Sequence, residues 1–260
     1  MTWQMQLQVT VERPIDQPFG QPGEVWSTVE TAVHGPRGLR WKSNAFTAKS
    51  WDAFLGRLAT VPHHAALSLI TLDRQGFPNA FPTFSVALDT NDDDHGWLFL
   101  KVRFGPELLD DRDFQKSTLA FARSFAEATD LAYAEISYDR GSGRTAYEDV
   151  FRGRPGRTAL TSRETLRGYA WLTVCPREIG ERLGGLDTFR GSGAFAEAER
   201  LPAGGYWLLA TEDWRDFGPA AAERIFPVLA PALRPGPPMQ DVPDDPPYYV
   251  SRRNAAELQG

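Results

Sequence analysis

Gly141-Ser142-Gly143-Arg144-Thr145-Ala146 matches the loose dinucleotide pattern G-x-G-x-x-A and follows a predicted strand. Phosphate binding by that pattern needs a long helix directly after it, whose N-terminus faces the pyrophosphate, and then a second strand ending in an acid. Gly153 and Pro155 interrupt any such helix, and the preceding strand carries Glu135 and Ser137 in place of a buried apolar run. These residues read better as a connecting loop.

Asp92, Asp93 and Asp94 suggest calcium, but the register fails. An EF-hand loop begun at Asp92 puts Arg103 at the position of the bidentate glutamate, and one begun at Asn91 puts Val102 there. A solvated hairpin turn fits better. His63 and His64 are adjacent, so in extended chain they point to opposite faces and cannot readily share a metal. His34 and His95 add no metal-ligand spacing. Cys175 stands at the entry to a predicted helix, where a thiol can be activated, yet no histidine is near it in sequence. A small buried cysteine is the plainer reading. The chain holds no G-x-S-x-G elbow, H-E-x-x-H pair or P-loop. No catalytic, metal or cofactor-binding residue is assigned, and no cofactor is expected.

Two acidic groups are the candidate partner-binding residues: Asp92, Asp93 and Asp94, and Glu212, Asp213, Trp214 and Asp216. Trp214 lies in a charged loop, where an aromatic among acids could anchor a basic partner. The same residue could equally fold back as a lid on the core. Trp171 and Trp207, in strongly apolar strands, are expected in the core.

The elements that must position these residues follow from periodicity. Trp3, Met5, Leu7, Val9 and Val11 alternate with polar residues, predicting a strand with one wet face. Residues 25–33 are read as a short helix and 41–46 as ambiguous. Ser50 is a candidate N-cap for a helix carrying Trp51, Phe54, Leu55 and Leu58. Strands are predicted at 65–72, 84–88 and 97–104, the last two as a hairpin. Asp110 or Asp113 can cap a helix over 114–128, where Phe114, Thr118, Phe121, Ala122 and Phe125 recur at helical spacing and put three phenylalanines on one core-facing stripe. A strand at 131–138 precedes a glycine- and arginine-rich stretch, 140–162, with a short helix near 145–151. Beyond it come a strand at 169–174, a short helix from Pro176 to glycines 184 and 185, and a hairpin, 195–201 with 206–211. A final helix opens at Pro219, with Pro227 and Pro231 predicting a kink or a break. Tyr248-Tyr249-Val250 is a candidate edge strand.

These elements predict an α+β fold, with a mixed or mainly antiparallel sheet and helices packed on one face. The expected organisation is an N-terminal lobe, 1–140, and a C-terminal lobe, 141–260, with a proline-rich tail. Both halves follow a loose plan of strands then helices, which leaves two similar lobes open, although no repeat of fixed period is present.

At 260 residues, 42% hydrophobic and 24% charged, the chain can bury a substantial core. The net charge of −6 argues against nucleic acid, whose phosphates demand a positive surplus. No apolar run approaches the roughly 18 residues of a membrane span. With one cysteine and no basic or apolar leader at Met1-Thr2-Trp3-Gln4, a cytoplasmic location is expected.

The strand Tyr169 to Val174, the Arg182-Leu183-Gly184-Gly185 helix stop, the Gly204-Gly205-Tyr206-Trp207-Leu208 hairpin and the closing Phe226 to Pro235 segment resemble the C-terminal part of the bacterial type VI immunity family. The likeness covers about residues 165–235 and rests on structural motifs. Trp214-Arg215-Asp216-Phe217-Gly218 stands where that family has a Gly-Asp turn. The resemblance implies a non-enzymatic protein that binds and neutralises a cognate toxin, a partner that would suit this acidic chain if basic. The alternative is an accessory enzyme or small-molecule binder with a site between the two lobes. Oligomeric state is left open.

Overall fold

The computed structural model describes residues 4–14, 28–35, 38–45, 47, 49, 52–53, 64–72, 78–90, 95–139, 144–240 and 249–259. The chain divides into two compact units, one of residues 8–104 and one of residues 1–7 with 105–260. The division falls before Gly105 and not in the arginine-rich stretch after residue 140. Strand pairing explains the difference. Tyr133–Asp139 pairs with Leu172–Cys175 through Ala134 with Val174 and Ile136 with Leu172, so the sequences flanking that stretch share one sheet.

Residues 8–104 are built around strands. β1 (Gln4–Pro14) is the strand its alternation predicts, and its first residues are grouped with the larger unit. It is followed by β2 (Thr28–Gly35), β3 (Gly38–Ala45), β4 (His64–Leu72), β5 (Pro78–Thr90) and β6 (His95–Phe104). β2 to β6 are antiparallel neighbours in the order β3-β2-β4-β5-β6. The helix expected over 25–33 is therefore corrected to strand β2. Thr28, Val29, Thr31 and Val33 are β-branched, and their fit to a pleated sheet outweighs a helix-like spacing of apolar residues. The β5–β6 hairpin is as predicted, with Thr90 opposite Gly96. Its turn, with Asp92, Asp93 and Asp94, lies outside the described residues, as do Ser50 and His63. Lys49, Asp52 and Ala53 are helical.

The larger unit mixes both kinds of element. A 3-10 turn (Pro106–Asp110) leads to α1 (Arg112–Ala128), β7 (Tyr133–Asp139), α2 (Ala146–Val150) and α3 (Pro155–Thr158). Then come β8 (Leu172–Cys175), α4 (Arg177–Arg182), α5 (Gly185–Gly191), β9 (Glu197–Arg200), β10 (Tyr206–Leu209) and α6 (Pro219–Leu229). β7-β8-β10-β9 form an antiparallel run. The fold is α+β. Among the described residues α1 to α6 belong to the larger unit, and Lys49, Asp52 and Ala53 are the helical residues of the smaller one.

Local signals set most boundaries. Asp111, and neither Asp110 nor Asp113, caps α1, its Oδ1 accepting from the Asp113 N–H at 2.8 Å. The buried stripe of α1 is Gln115, Thr118, Ala122 and Ala126, while the three phenylalanines flank it half-buried. Thr118 and Ala122 of the expected stripe are thus in the core, and its phenylalanines lie along the edge of it. Gly184 and Gly185 take φ of +93° and +71°, the left-handed turn that stops α4 and starts α5. α6 contains Pro227 and gives way to a 3-10 turn at Ala230–Ala232, as its prolines predict. Tyr249 and Val250 form no strand. The core gathers Trp171, Trp207, Tyr133, Tyr169, Phe189 and Phe226, all fully buried. Burying an apolar side chain of this size stabilises by roughly 1.5 to 3 kcal/mol. Among the described residues no helix is long and apolar enough to cross a membrane.

Candidate anion-binding site

α2 starts with a complete capping box. Thr145 Oγ1 accepts from the Glu148 N–H at 3.0 Å, and Glu148 Oε2 accepts from the Thr145 N–H at 2.9 Å. The same carboxylate takes Arg167 as a two-pronged partner, Nε to Oε1 at 2.8 Å and Nη2 to Oε2 at 3.0 Å, and Thr158 also donates to Oε1. Both side chains of the pair are about 99% and 98% shielded from solvent, with 1% and 2% exposed. Burial alone would lower the Arg167 guanidinium, but Glu148 outweighs it and the pKa ends above its ordinary value. Glu148 therefore joins the start of α2, α3 and the strand-like chain at residue 167.

The end of α2 turns sharply. Gly153 N–H donates to the Glu148 carbonyl at 2.6 Å, and Arg152 adopts φ +53°. A Cβ at Gly153 would meet Glu148 Cγ at 2.6 Å and Cβ at 2.7 Å, so only glycine closes this turn without displacement. Arg152 occupies the left-handed position that glycine normally fills, at a cost of about 1 to 2 kcal/mol for a residue with a Cβ. On the far side, Leu166 forms a parallel bridge to Leu233, with its N–H donating to the Ala232 carbonyl at 2.8 Å. That bridge brings Arg234 beside Arg167, and Tyr147 Oη donates to the Arg234 carbonyl at 2.7 Å.

These segments border an open cavity of about 530 Å³. Arg152, Arg154, Arg157 and Arg234 line it as exposed cations. None of the four forms an ion pair with a described residue. Thr158, Thr161 and Thr165 supply hydroxyls, and Tyr147, Phe151 and Leu166 an apolar wall. Glu148, the one acid among the described lining residues, is already matched by Arg167. The cavity therefore carries a surplus of positive charge within a chain of net charge −6. Guanidinium forks in such number are suited to carboxylate or phosphate oxygens.

Behind the cavity wall, Glu135 is fully buried on β7. Tyr133 Oη donates to its Oε2 at 2.9 Å, while Glu135 Oε1 and Arg167 Nη1 have no hydrogen-bond partner among the described residues. Ser137 also faces this carboxylate, but without a hydrogen bond of normal geometry. Burial raises the Glu135 carboxyl to about 7, against the opposing pull of Arg167.

The acidic loop after β10 is differently built from the expected partner surface. Trp214 is buried, its ring edge-on to Trp171 at 5.5 Å and to Tyr138 at 5.2 Å. Of the two readings of Trp214, the structure gives the core. Asp213 is buried too, accepting from Gln115 and Arg215 and ion-paired with Arg112; its carboxyl is held well below the usual range, mainly by Arg215. Glu212 and Asp216 are exposed. Cys175 is fully buried, and burial raises its thiol far above the ordinary value.

The arginine cavity was not among the residues singled out from the sequence. Its signal was present in Arg152-Gly153-Arg154-Pro155-Gly156-Arg157-Thr158, three arginines in six residues with no acid between them. Compared with family models, with curated proteins and with solved structures, the chain matches none.

Proposed function

We propose that the larger unit binds a small anionic ligand in the arginine-lined cavity. The observation that carries this reading is four guanidiniums without ion-pair partners among the described residues, facing one cavity in which Glu148, the one carboxylate among the described lining residues, is already neutralised. A volume of about 530 Å³ suits a small molecule. In this reading the site binds and does not transform its ligand. Glu148 is committed to Arg167, Thr145 and Thr158, and arginine cannot serve as a base at neutral pH. The site lies within one unit, which departs from the expected placement between lobes.

Thermal unfolding with added sulfate or phosphate, at ionic strength matched with chloride, tests the proposal. A ligand at 100 times its Kd stabilises by about 2.7 kcal/mol. Stabilisation by the oxyanions and none by chloride is expected. No difference among sulfate, phosphate, simple carboxylates and chloride would overturn the reading.

Toxin neutralisation is the second reading. It draws on the exposed Glu212 and Asp216 and on the acidic net charge, but Trp214 is not exposed to anchor a partner. Charge reversal at Glu212 and Asp216 should weaken capture of a basic toxin by at least tenfold, and unchanged capture removes it.

A further inference from the structure

Resting on the anion-binding reading, we propose that the ligand is a small organic molecule carrying a pyrophosphate or two phosphate groups, gripped in part by Arg152 from its left-handed backbone position. Charge is the first ground. A monocarboxylate would neutralise one of the four cations and leave the others repelling each other within one cavity, whereas a pyrophosphate brings charge enough to match them. Shape is the second. Arg152, Arg154 and Arg157 come from the turn after α2 and from α3, and Arg234 comes from the chain beyond α6. Donors arriving from separate segments suit tetrahedral groups, whose oxygens fan out in three dimensions, better than a planar carboxylate.

Thr161 and Thr165 add hydroxyl donors. Thr158 is held by Glu148, while the Thr161 hydroxyl has only a long contact, 3.5 Å, to the Arg157 carbonyl. Tyr147, Phe151 and Leu166 give an organic moiety an apolar wall. Arg152 supplies an independent observation. A residue with a Cβ stands where the turn favours glycine, beside a position, Gly153, that is itself glycine. Backbone strain at a cavity rim is a ground for assigning its side chain a role there.

Calorimetric titration of the full chain with inorganic phosphate, pyrophosphate, ADP and citrate tests the proposal. Pyrophosphate and ADP are expected to bind at least tenfold tighter than phosphate and tighter than citrate. Arg152→Gly is expected to lose at least tenfold in pyrophosphate affinity while its unfolding midpoint rises, a pair of changes that misfolding cannot produce. Arg157→Gln, at an exposed position, is expected to weaken pyrophosphate binding with an unchanged midpoint. Citrate binding as tightly as pyrophosphate would overturn the phosphate class and leave the anion site standing. Binding of none of the four would overturn both. Full affinity in Arg152→Gly would remove Arg152 from the site.

Discussion

Glu148 and Arg167 form the buried charge pair on which the cavity floor depends, and their consequences are asymmetric. Removing one partner strands the other in the interior, so Arg167→Met should destabilise by about 3 to 5 kcal/mol. Changing both, Glu148→Gln with Arg167→Met, leaves neither member of the pair as an unmatched buried charge and should recover more than half of that loss in urea denaturation. Equal losses in the single and double variants would show that the pair is not coupled. Glu135 gives a pH signature. Its carboxyl sits near 4.5 when unfolded and about 7 when folded, so the native state holds the proton more tightly. Its contribution is fully present below pH 4.5, declines between 4.5 and 7, and is level above, a loss of about 3 kcal/mol. Glu135→Gln should flatten that window and be more stable than the parent at pH 8. An unchanged slope would assign the pH dependence to other groups.

At the scale of elements, what was legible depended on how local the determining signal was. The alternation in β1, the β5–β6 hairpin, the α4 stop at Gly184-Gly185 and the prolines ending α6 are written within a few residues, and all four are found in the structure. The short helix expected over residues 25–33 is instead strand β2, which only its pairing with β3 and β4 reveals. The cavity was illegible for a similar reason. Arg152 and Arg234 are distant in sequence and are brought to one lining by the Leu166–Leu233 bridge, which no spacing rule encodes. Trp214 shows a third kind of difficulty, since a charged sequence neighbourhood surrounds a ring that packs on Trp171. The capping box at Thr145 and Glu148 is the local feature on which the site stands. Thr145→Ala should cost about 1 kcal/mol, measured by chemical denaturation. A loss under a few tenths would mean that the box is dispensable.

For the whole molecule, the notable contrast is a net charge of −6 with a local excess of arginine in one cavity. Overall charge opposes the approach of an anion, while the cavity holds it once it arrives. Binding should therefore weaken as salt rises, and Arg154→Gln with Arg157→Gln should flatten that dependence. Salt-independent binding would place the ligand away from the arginines. Locating the ligand by hydrogen exchange, with and without saturating pyrophosphate, tests the central claim most directly. Protection is expected to concentrate in residues 147–167 and around Arg234, with little change at the exposed Glu212 and Asp216. Protection elsewhere, or none at a concentration that saturates binding, would contradict it.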